Sequence, residues 1–250
     1  MNCLQSRAYN QSSGKPESGL LYLITVKADE CIADVERATK KLFARCVNCG
    51  DGAPITACYR LRFSSFVEQR GWVAQEQLPF PTIETDVYDA HCLHLAVLCG
   101  GTATAYLRVL PHQPEIGFML DSDFAPLLSE EELSYLPREG AVELSRLVCR
   151  SDYLRSWKSE EPHPVELLFK LMYQESKARG FRLFYIVVEE TWLRPMARRF
   201  GVRFRVLGQP YTFPDGTRTV AAVATLEELE EGMKQHSTAK FEWYQQVEPG

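Results

Sequence analysis

Residues 142–150 read VELSRLVCR, a stretch that only a sheet accommodates well. Val142, Leu144, Leu147 and Val148 are strand-forming residues, yet Glu143 and Arg146 interrupt them. A carboxylate among apolar neighbours is costly unless it is paired or put to chemical use. Glu143 and Arg146 are three apart, so a regular strand would turn them to opposite faces. Either a bulge re-aims one of them or they serve different purposes. Any fold for this chain has to resolve that conflict.

The remaining pattern alternates strands and helices. LLYLITVKA (20–28) reads as a strand. Residues 34–48 set Val35, Ala38, Leu42 and Cys46 on one helical face, with CVNCG as the helix end. After Asp51-Gly52-Ala53-Pro54, ITACYRLRFSSFVEQR predicts a second helix closed by Gly71, with Arg62 and Phe66 on one face. Residues 73–85 and 151–164 read as loops. CLHLAVLCG (92–100) and ATAYLRVL (103–110) flank Gly100-Gly101, a hairpin signal. PVELLFKLMYQESKARG predicts a helix from Pro164 to Gly180, followed by the apolar strand FRLFYIVVE. Thr191 is placed to cap a short helix ending at Gly201. VRFRVLG and TVAAVATL predict strands around the turn FPDGT, and LEELEEGMKQH a final helix.

These elements predict an α/β (α+β) domain. Residues 1–19 are expected to be a flexible polar tail and 20–250 one domain. Within it, 20–55 form an N-terminal strand-helix addition, 56–226 the core, and 227–250 a C-terminal helix and tail. A net charge of −5 implies no general affinity for nucleic acid. No apolar run approaches the roughly 18 residues of a membrane span. The polar N-terminus lacks a signal-peptide core, so a cytoplasmic protein is expected. Eight cysteines then need not form disulfides. Cys46 and Cys49 make a CxxC, with His91, Cys92, His94 and Cys99 as further candidate zinc ligands; without a second CxxC or HxxxH no metal is expected.

Charges recur at strand and helix-end positions: Arg62 on the second helix, Asp86 and Asp89 in ETDVYD, Arg108 inside a strand, and Glu143 with Arg146. Gathered in one cleft they would perturb one another's pKa values, as in an active site or in a purely structural ion network.

The order of these residues resembles a known pattern. R-x3-F-x5-W (Arg62, Phe66, Trp72), D-x-x-D (Asp86, Asp89), Arg108, Phe124 in MLDSDF, and E-x-S-R (Glu143, Ser145, Arg146) together resemble LuxI-type acyl-homoserine lactone synthases. They also resemble the related N-acyl amino acid synthases and exosortase (PEP-CTERM) system-associated acyltransferases. The resemblance spans about Cys58 to Leu226. It implies a GCN5-related N-acyltransferase-like fold, with a mixed central sheet splayed into a cleft and flanked by helices. Departures are the N-terminal addition and a longer loop between Trp72 and Asp86. The tail from Phe200 onward and DAHCLHLAV after Asp89 look more like the exosortase-associated group.

The resemblance implies acyl transfer from a thioester to an amine. Such a reaction needs a base for the incoming amine, donors for the oxyanion, and a grip on the acceptor. Glu143 is the first choice as base, and a bulge's free N–H groups would serve the oxyanion. Asp86 and Asp89 would bind the acceptor's ammonium or order Arg108 and Arg146; alternatively, an arginine would hold an acceptor carboxylate. Arg62, Phe66, Trp72, Phe124 and Ser145 are expected to form the acceptor side, although Phe66 and Trp72 could equally be core packing. No glycine-rich pyrophosphate loop follows this strand, where SDYLRSWKSEEPHP stands instead. Acyl carrier protein is therefore the expected donor partner, ahead of acyl-CoA, with no tightly bound cofactor. Arg194, Arg198, Arg199 and Arg203, with Arg205, offer a basic patch for the acidic carrier, or simply a solvated face. Two other readings stay open: an acyl-homoserine lactone synthase using S-adenosylmethionine, and a non-catalytic sensor for an acyl chain or nucleotide.

Overall fold

The strand carrying Glu143 sits in the middle of a seven-stranded sheet of order β1-β2-β3-β4-β5-β7-β6. This is seen in a computed structural model, which describes residues 42–150, 162–214 and 216–247. The strands are β1 (Leu42–Val47), β2 (Leu93–Cys99), β3 (Thr102–Pro111), β4 (Ala141–Cys149), β5 (Leu183–Glu189), β6 (Arg205–Thr212) and β7 (Arg218–Thr225). The helices are α1 (Ala53–Arg62), a short α2 (Glu130–Ser134), α3 (Pro164–Arg179), α4 (Glu190–Phe200), α5 (Leu226–His236) and α6 (Thr238–Gln245). The expected N-terminal tail, the strand 20–28, the first part (34–41) of the helix 34–48 and the loop 151–161 lie outside the described residues.

All neighbouring strands are antiparallel except β4 and β5. That parallel pair is registered only from Ala141↔Leu183 to Leu144↔Ile186. Beyond it, β4 continues along β3 to Cys149 while β5 continues along β7 to Glu189. The two halves therefore part just after Glu143, which gives the splayed cleft the resemblance implied. Backbone groups of β4 from Ser145 onward no longer have β5 as a partner.

One face of the sheet carries Leu95, Val97, Leu107, Val109 and Leu144 against α3, α5 and α6. At full burial each such side chain stabilises by about 1.5–3 kcal/mol. On the other face, α1 covers Ala96, Leu98, Tyr106 and Val148 through Ile55, Cys58 and Leu61. Phe118, Met119, Leu120 and Leu127 cover Leu110, Tyr185, Ala221 and Val223. Between these two clusters lies the site.

Several expectations hold. Gly100 and Gly101, at φ 54° and 81°, make the β2–β3 hairpin in a conformation that side chains resist. Pro164 opens α3, and Gly180 at φ 72° ends it. Others need correction. Leu42–Val47 is an edge strand paired to β2, not the end of a helix. Leu42 and Cys46 satisfy a period of four as well as two; Ala44, packed beside them while Phe43 and Arg45 point outward, decides for the strand. CVNCG is accordingly a strand end and turn. Helix α4 starts one residue before Thr191, with Glu189 at its cap position. The residues read as a C-terminal tail include α6, capped by Ser237, whose hydroxyl accepts from Lys240 N–H at 3.2 Å.

Candidate active site

The conflict in VELSRLVCR is resolved by a bulge. Across β3 and β4, Arg108 faces Ser145 but Tyr106 faces Val148, so β4 carries one extra residue. Arg146 takes φ 56°, the one positive φ of a non-glycine among the described residues. That conformation costs roughly 1–3 kcal/mol and has to be held by its surroundings. The holding groups are carboxylates: Arg146 donates from Nε to Glu84 Oε1 at 3.1 Å and from Nη2 to Asp86 Oδ2 at 3.0 Å. Its guanidinium also lies 5.6 Å from the centre of the Phe66 ring.

Arg146 is one corner of a buried ion network. Arg62, wholly buried, donates from Nε to Glu84 Oε2 and from Nη1 to Asp89 Oδ1 at 2.6 Å. Arg108, also wholly buried, reaches Asp86 Oδ1 at 2.5 Å and Asp89 Oδ1 at 2.9 Å through Nη1. Its Nε donates to Ser145 Oγ at 2.9 Å. Three guanidiniums thus meet three carboxylates, and the network is neutral as a unit. Burial pushes the Asp89 carboxyl up, but Arg62 and Arg108 outweigh this and hold it at about 2. Asp86 and Asp89 are therefore committed to arginines.

Sequence reasoning missed Glu84. Its signal is the alternation Glu84-Thr85-Asp86, which puts two carboxylates on one side of an extended segment. It also missed the groups behind Arg62. His94 Nε2 lies 2.9 Å from the Asp89 carbonyl, and its Nδ1 lies 2.7 Å from the Tyr106 hydroxyl. A carbonyl only accepts, so Nε2 carries the hydrogen and Nδ1 accepts from Tyr106. The Tyr106 oxygen is then left to accept from Arg62 Nη1 at 3.4 Å. Burial lowers the His94 pKa and keeps the ring neutral. Cys49, weighed as a zinc ligand with His94, donates its thiol hydrogen to the Asp89 carbonyl at 3.2 Å. Cys46 belongs to the opposite face of the sheet, among the main core. Among the described residues, no group of three or more His, Cys, Asp or Glu is placed to hold a metal ion.

Glu143 stands apart from the network. It is 1% exposed, between Leu110 on β3 and Tyr185 on β5. Among the described residues no guanidinium is bonded to it; its Oε2 accepts from Leu120 N–H at 3.4 Å. Burial raises its carboxyl to about 7, against the pull of the Leu120 and Met119 N–H groups and of Arg108. A carboxyl of that pKa, beside the point where β4 and β5 separate, can exchange a proton near neutrality.

Of the acceptor-side residues, Phe66 is buried and stacks on Trp72 with centroids 5.8 Å apart. A π-helical turn, Phe63–Gln69, continues α1, and Trp72 N–H donates to Phe66 O at 2.8 Å. Trp72 itself is exposed, with Arg70 over its ring at 4.3 Å. The same Arg70 pairs with Glu189 at 3.3 Å, at the end of β5. Phe124 packs against the cluster of Phe118, Met119 and Leu120 and meets Phe213 edge-on at 6.0 Å. Arg194, Arg198, Arg199 and Arg203 are exposed, on α4 and just after it.

Residues 61–159 match the family model described as Acetyltransferase (GNAT) domain. No curated protein matches the chain. Solved structures do. The CoA-dependent acyl-homoserine lactone synthase MesI aligns over 78% of this chain and 95% of its own, with 20% identity and a TM-score of 0.59. The AHL synthase LasI aligns over 78% and 96%, with 18% identity and a TM-score of 0.61. FeeM, an N-acyl amino acid synthase from uncultured soil microbes, aligns over 82% and 98%, with 14% identity and a TM-score of 0.57. The chain therefore has the fold of the LuxI-type and N-acyl amino acid synthase structures, and its residues 61–159 are similar to the GNAT acetyltransferase domain.

Proposed function

We propose that this protein is an N-acyltransferase that moves a fatty acyl group from an acyl-carrier-protein thioester to the amine of an amino acid or similar acceptor. The observation that carries the reading is Glu143: a buried carboxyl, paired with no guanidinium among the described residues and raised to about 7, on β4 close to where β5 separates from it. A group that only held the sheet together would be neutralised by an arginine, as Glu84 is.

The chemistry follows from these placements. The acceptor amine attacks the thioester carbonyl, and its nitrogen forms the new C–N bond. Glu143 takes the ammonium proton, directly or through a water, because a protonated amine has no lone pair to attack with. Backbone N–H groups of β4 beyond Ser145, released from β5, are positioned to stabilise the oxyanion. The C–S bond then breaks and the leaving thiolate takes the second proton, the one still on the new amide nitrogen, directly or through a water, while Glu143 releases the first to solvent. The products are the acyl amide and the free carrier thiol. Arg62, Arg108 and Arg146, neutralised by Glu84, Asp86 and Asp89, hold Phe66 and the bulge in place rather than taking protons. Trp72, Phe124 and Ser145 complete the acceptor side, Ser145 through Arg108.

The exposed arginines of α4 suit an acidic carrier protein, in keeping with a cytoplasmic enzyme that needs no tightly bound cofactor. Arg198→Glu with Arg199→Glu should raise KM for acyl carrier protein several-fold and leave KM for acyl-CoA unchanged. Equal effects on both donors would remove the docking role. A second reading, acyl-homoserine lactone synthesis from S-adenosylmethionine, is favoured by one observation: the Arg62–Phe66–Trp72 set is assembled around Arg146. Mass spectrometry of lipid extracts from cells expressing the wild type or Glu143→Gln separates the readings. Acyl amides absent from the variant support the proposal. Acyl-homoserine lactones would replace it with the second reading.

A further inference from the structure

We infer that Arg138 and Asp121 are positioning residues: their ion pair clamps the turn that presents backbone N–H groups to Glu143. The catalytic meaning of the clamp rests on the proposal that Glu143 is the base; the clamp itself rests on geometry.

The turn is Met119–Asp121. It follows Gly117 at φ 68°, where an added Cβ would meet Asp121 Oδ2 at 3.2 Å. Arg138, two residues before Gly140 and the start of β4, grips both oxygens of Asp121: Nη1 to Oδ2 at 3.0 Å and Nη2 to Oδ1 at 2.6 Å. Such a fork fixes orientation as well as distance. Asp121 Oδ2 also accepts from Phe118 N–H at 2.8 Å, closing the turn from within. The Arg138 guanidinium lies 5.2 Å from the centre of the buried Phe118 ring. Phe118 in turn packs at 5.6 Å on Tyr185, whose hydroxyl donates to Pro137 O at 2.9 Å. Arg138 therefore ties the turn to the approach of β4, the strand that bears Glu143.

The turn makes two contacts with the site. Leu120 N–H donates to Glu143 Oε2 at 3.4 Å, a bond long enough to be lost by a small displacement. Met119 Sδ lies 2.9 Å from Arg108 Nη2. Glu143 is faced by Arg108 from β3, by Asp121 from the turn, by Tyr88 from the segment before β2, and by Tyr185 beside it on β5. Losing Arg138 loosens the N–H bonds that favour the Glu143 anion and leaves the Asp121 charge uncompensated. Both changes favour the neutral acid, so the midpoint of Glu143 rises. A lysine at 138 restores the charge without the fork.

The test measures the unfolding free energy against pH for the wild type and for Glu143→Gln; their difference reports the titration of Glu143 without any turnover. The pair is then repeated with Arg138→Met and with Arg138→Lys. The midpoint should rise by about one pH unit with methionine and by roughly half as much with lysine. Where the enzyme turns over, the acid limb of kcat/KM should move with it. Arg179→Gln, which breaks an exposed pair with Glu175, should leave the midpoint in place. An unchanged midpoint in the Arg138 variants overturns the clamp; if Arg138→Met does not fold, Arg138→Lys alone decides. If Glu143→Gln keeps full turnover, the base role falls, while the midpoint shift still decides the clamp.

Discussion

Two kinds of buried carboxylate lie side by side in this molecule. Glu84 and Asp89 are inside the arginine network, and Glu143 is outside it. Burial penalises the ionised form of both kinds. Paired with Arg62 and Arg108, Asp89 is held at about 2 and is an anion at any working pH. Glu143, with only backbone N–H groups and a more distant Arg108 to stabilise its charge, is raised to about 7. Similar burial thus yields a structural anion in one place and a proton-transfer group in the other. The difference lies in whether a guanidinium is in reach.

The sharpest test of that contrast removes the proton-transfer group. Glu143→Gln should lower turnover by about 10²–10⁴-fold while the protein stays folded, as read from kcat and circular dichroism. Unchanged kcat would erase the functional half of the comparison. On the network side, Arg62→Gln leaves Glu84 short of one partner and Asp89 with Arg108 as its remaining arginine. Breaking a buried pair in this way should destabilise by about 3–5 kcal/mol in urea unfolding. A loss below about 1 kcal/mol would mean that the network holds little together.

The pH dependence of stability should separate the two kinds by sign. Glu143 binds its proton more tightly folded than its ordinary value of 4.5 allows. Its contribution is full below that value and is lost as pH rises through about 7, a difference of about 3 kcal/mol. Glu143→Gln should therefore be more stable than the wild type at pH 8, with the advantage fading toward pH 4. Asp89 has the opposite slope: its contribution is present above its ordinary 3.8 and is lost as pH falls toward about 2. Parallel slopes would show that pairing does not distinguish them. The smallest expected effect is Trp72→Phe. It keeps an aromatic ring for Phe66 to stack on, so it should change stability by less than about 1 kcal/mol and show chiefly in the acceptor's KM.

The resemblance carried by Arg62, Phe66, Trp72, Asp86, Asp89, Arg108, Glu143 and Arg146 already pointed to the splayed sheet, and most of these residues do converge. Strands β2 to β5 were legible because period-two patterns, the Gly100-Gly101 turn and the Pro164/Gly180 helix ends are local signals. Leu42–Val47 was not, because its apolar residues fit two periods and only the free edge of β2 chose between them. Glu84 was passed over since nothing local distinguishes a buried glutamate in a loop from a solvated one.

By itself the sequence determined the charges, their order along the chain, and that an apolar strand had to accommodate Glu143 and Arg146 together. Tertiary structure decided what each charge became. The bulge turned Arg146 toward Glu84 and Asp86, and the parting of β4 from β5 opened the cleft beside Glu143. The turn at Met119–Asp121 set backbone N–H groups, rather than an arginine, against its carboxyl. A pKa depends on which groups lie within a few ångströms, and chain order does not specify that distance until the sheet has formed.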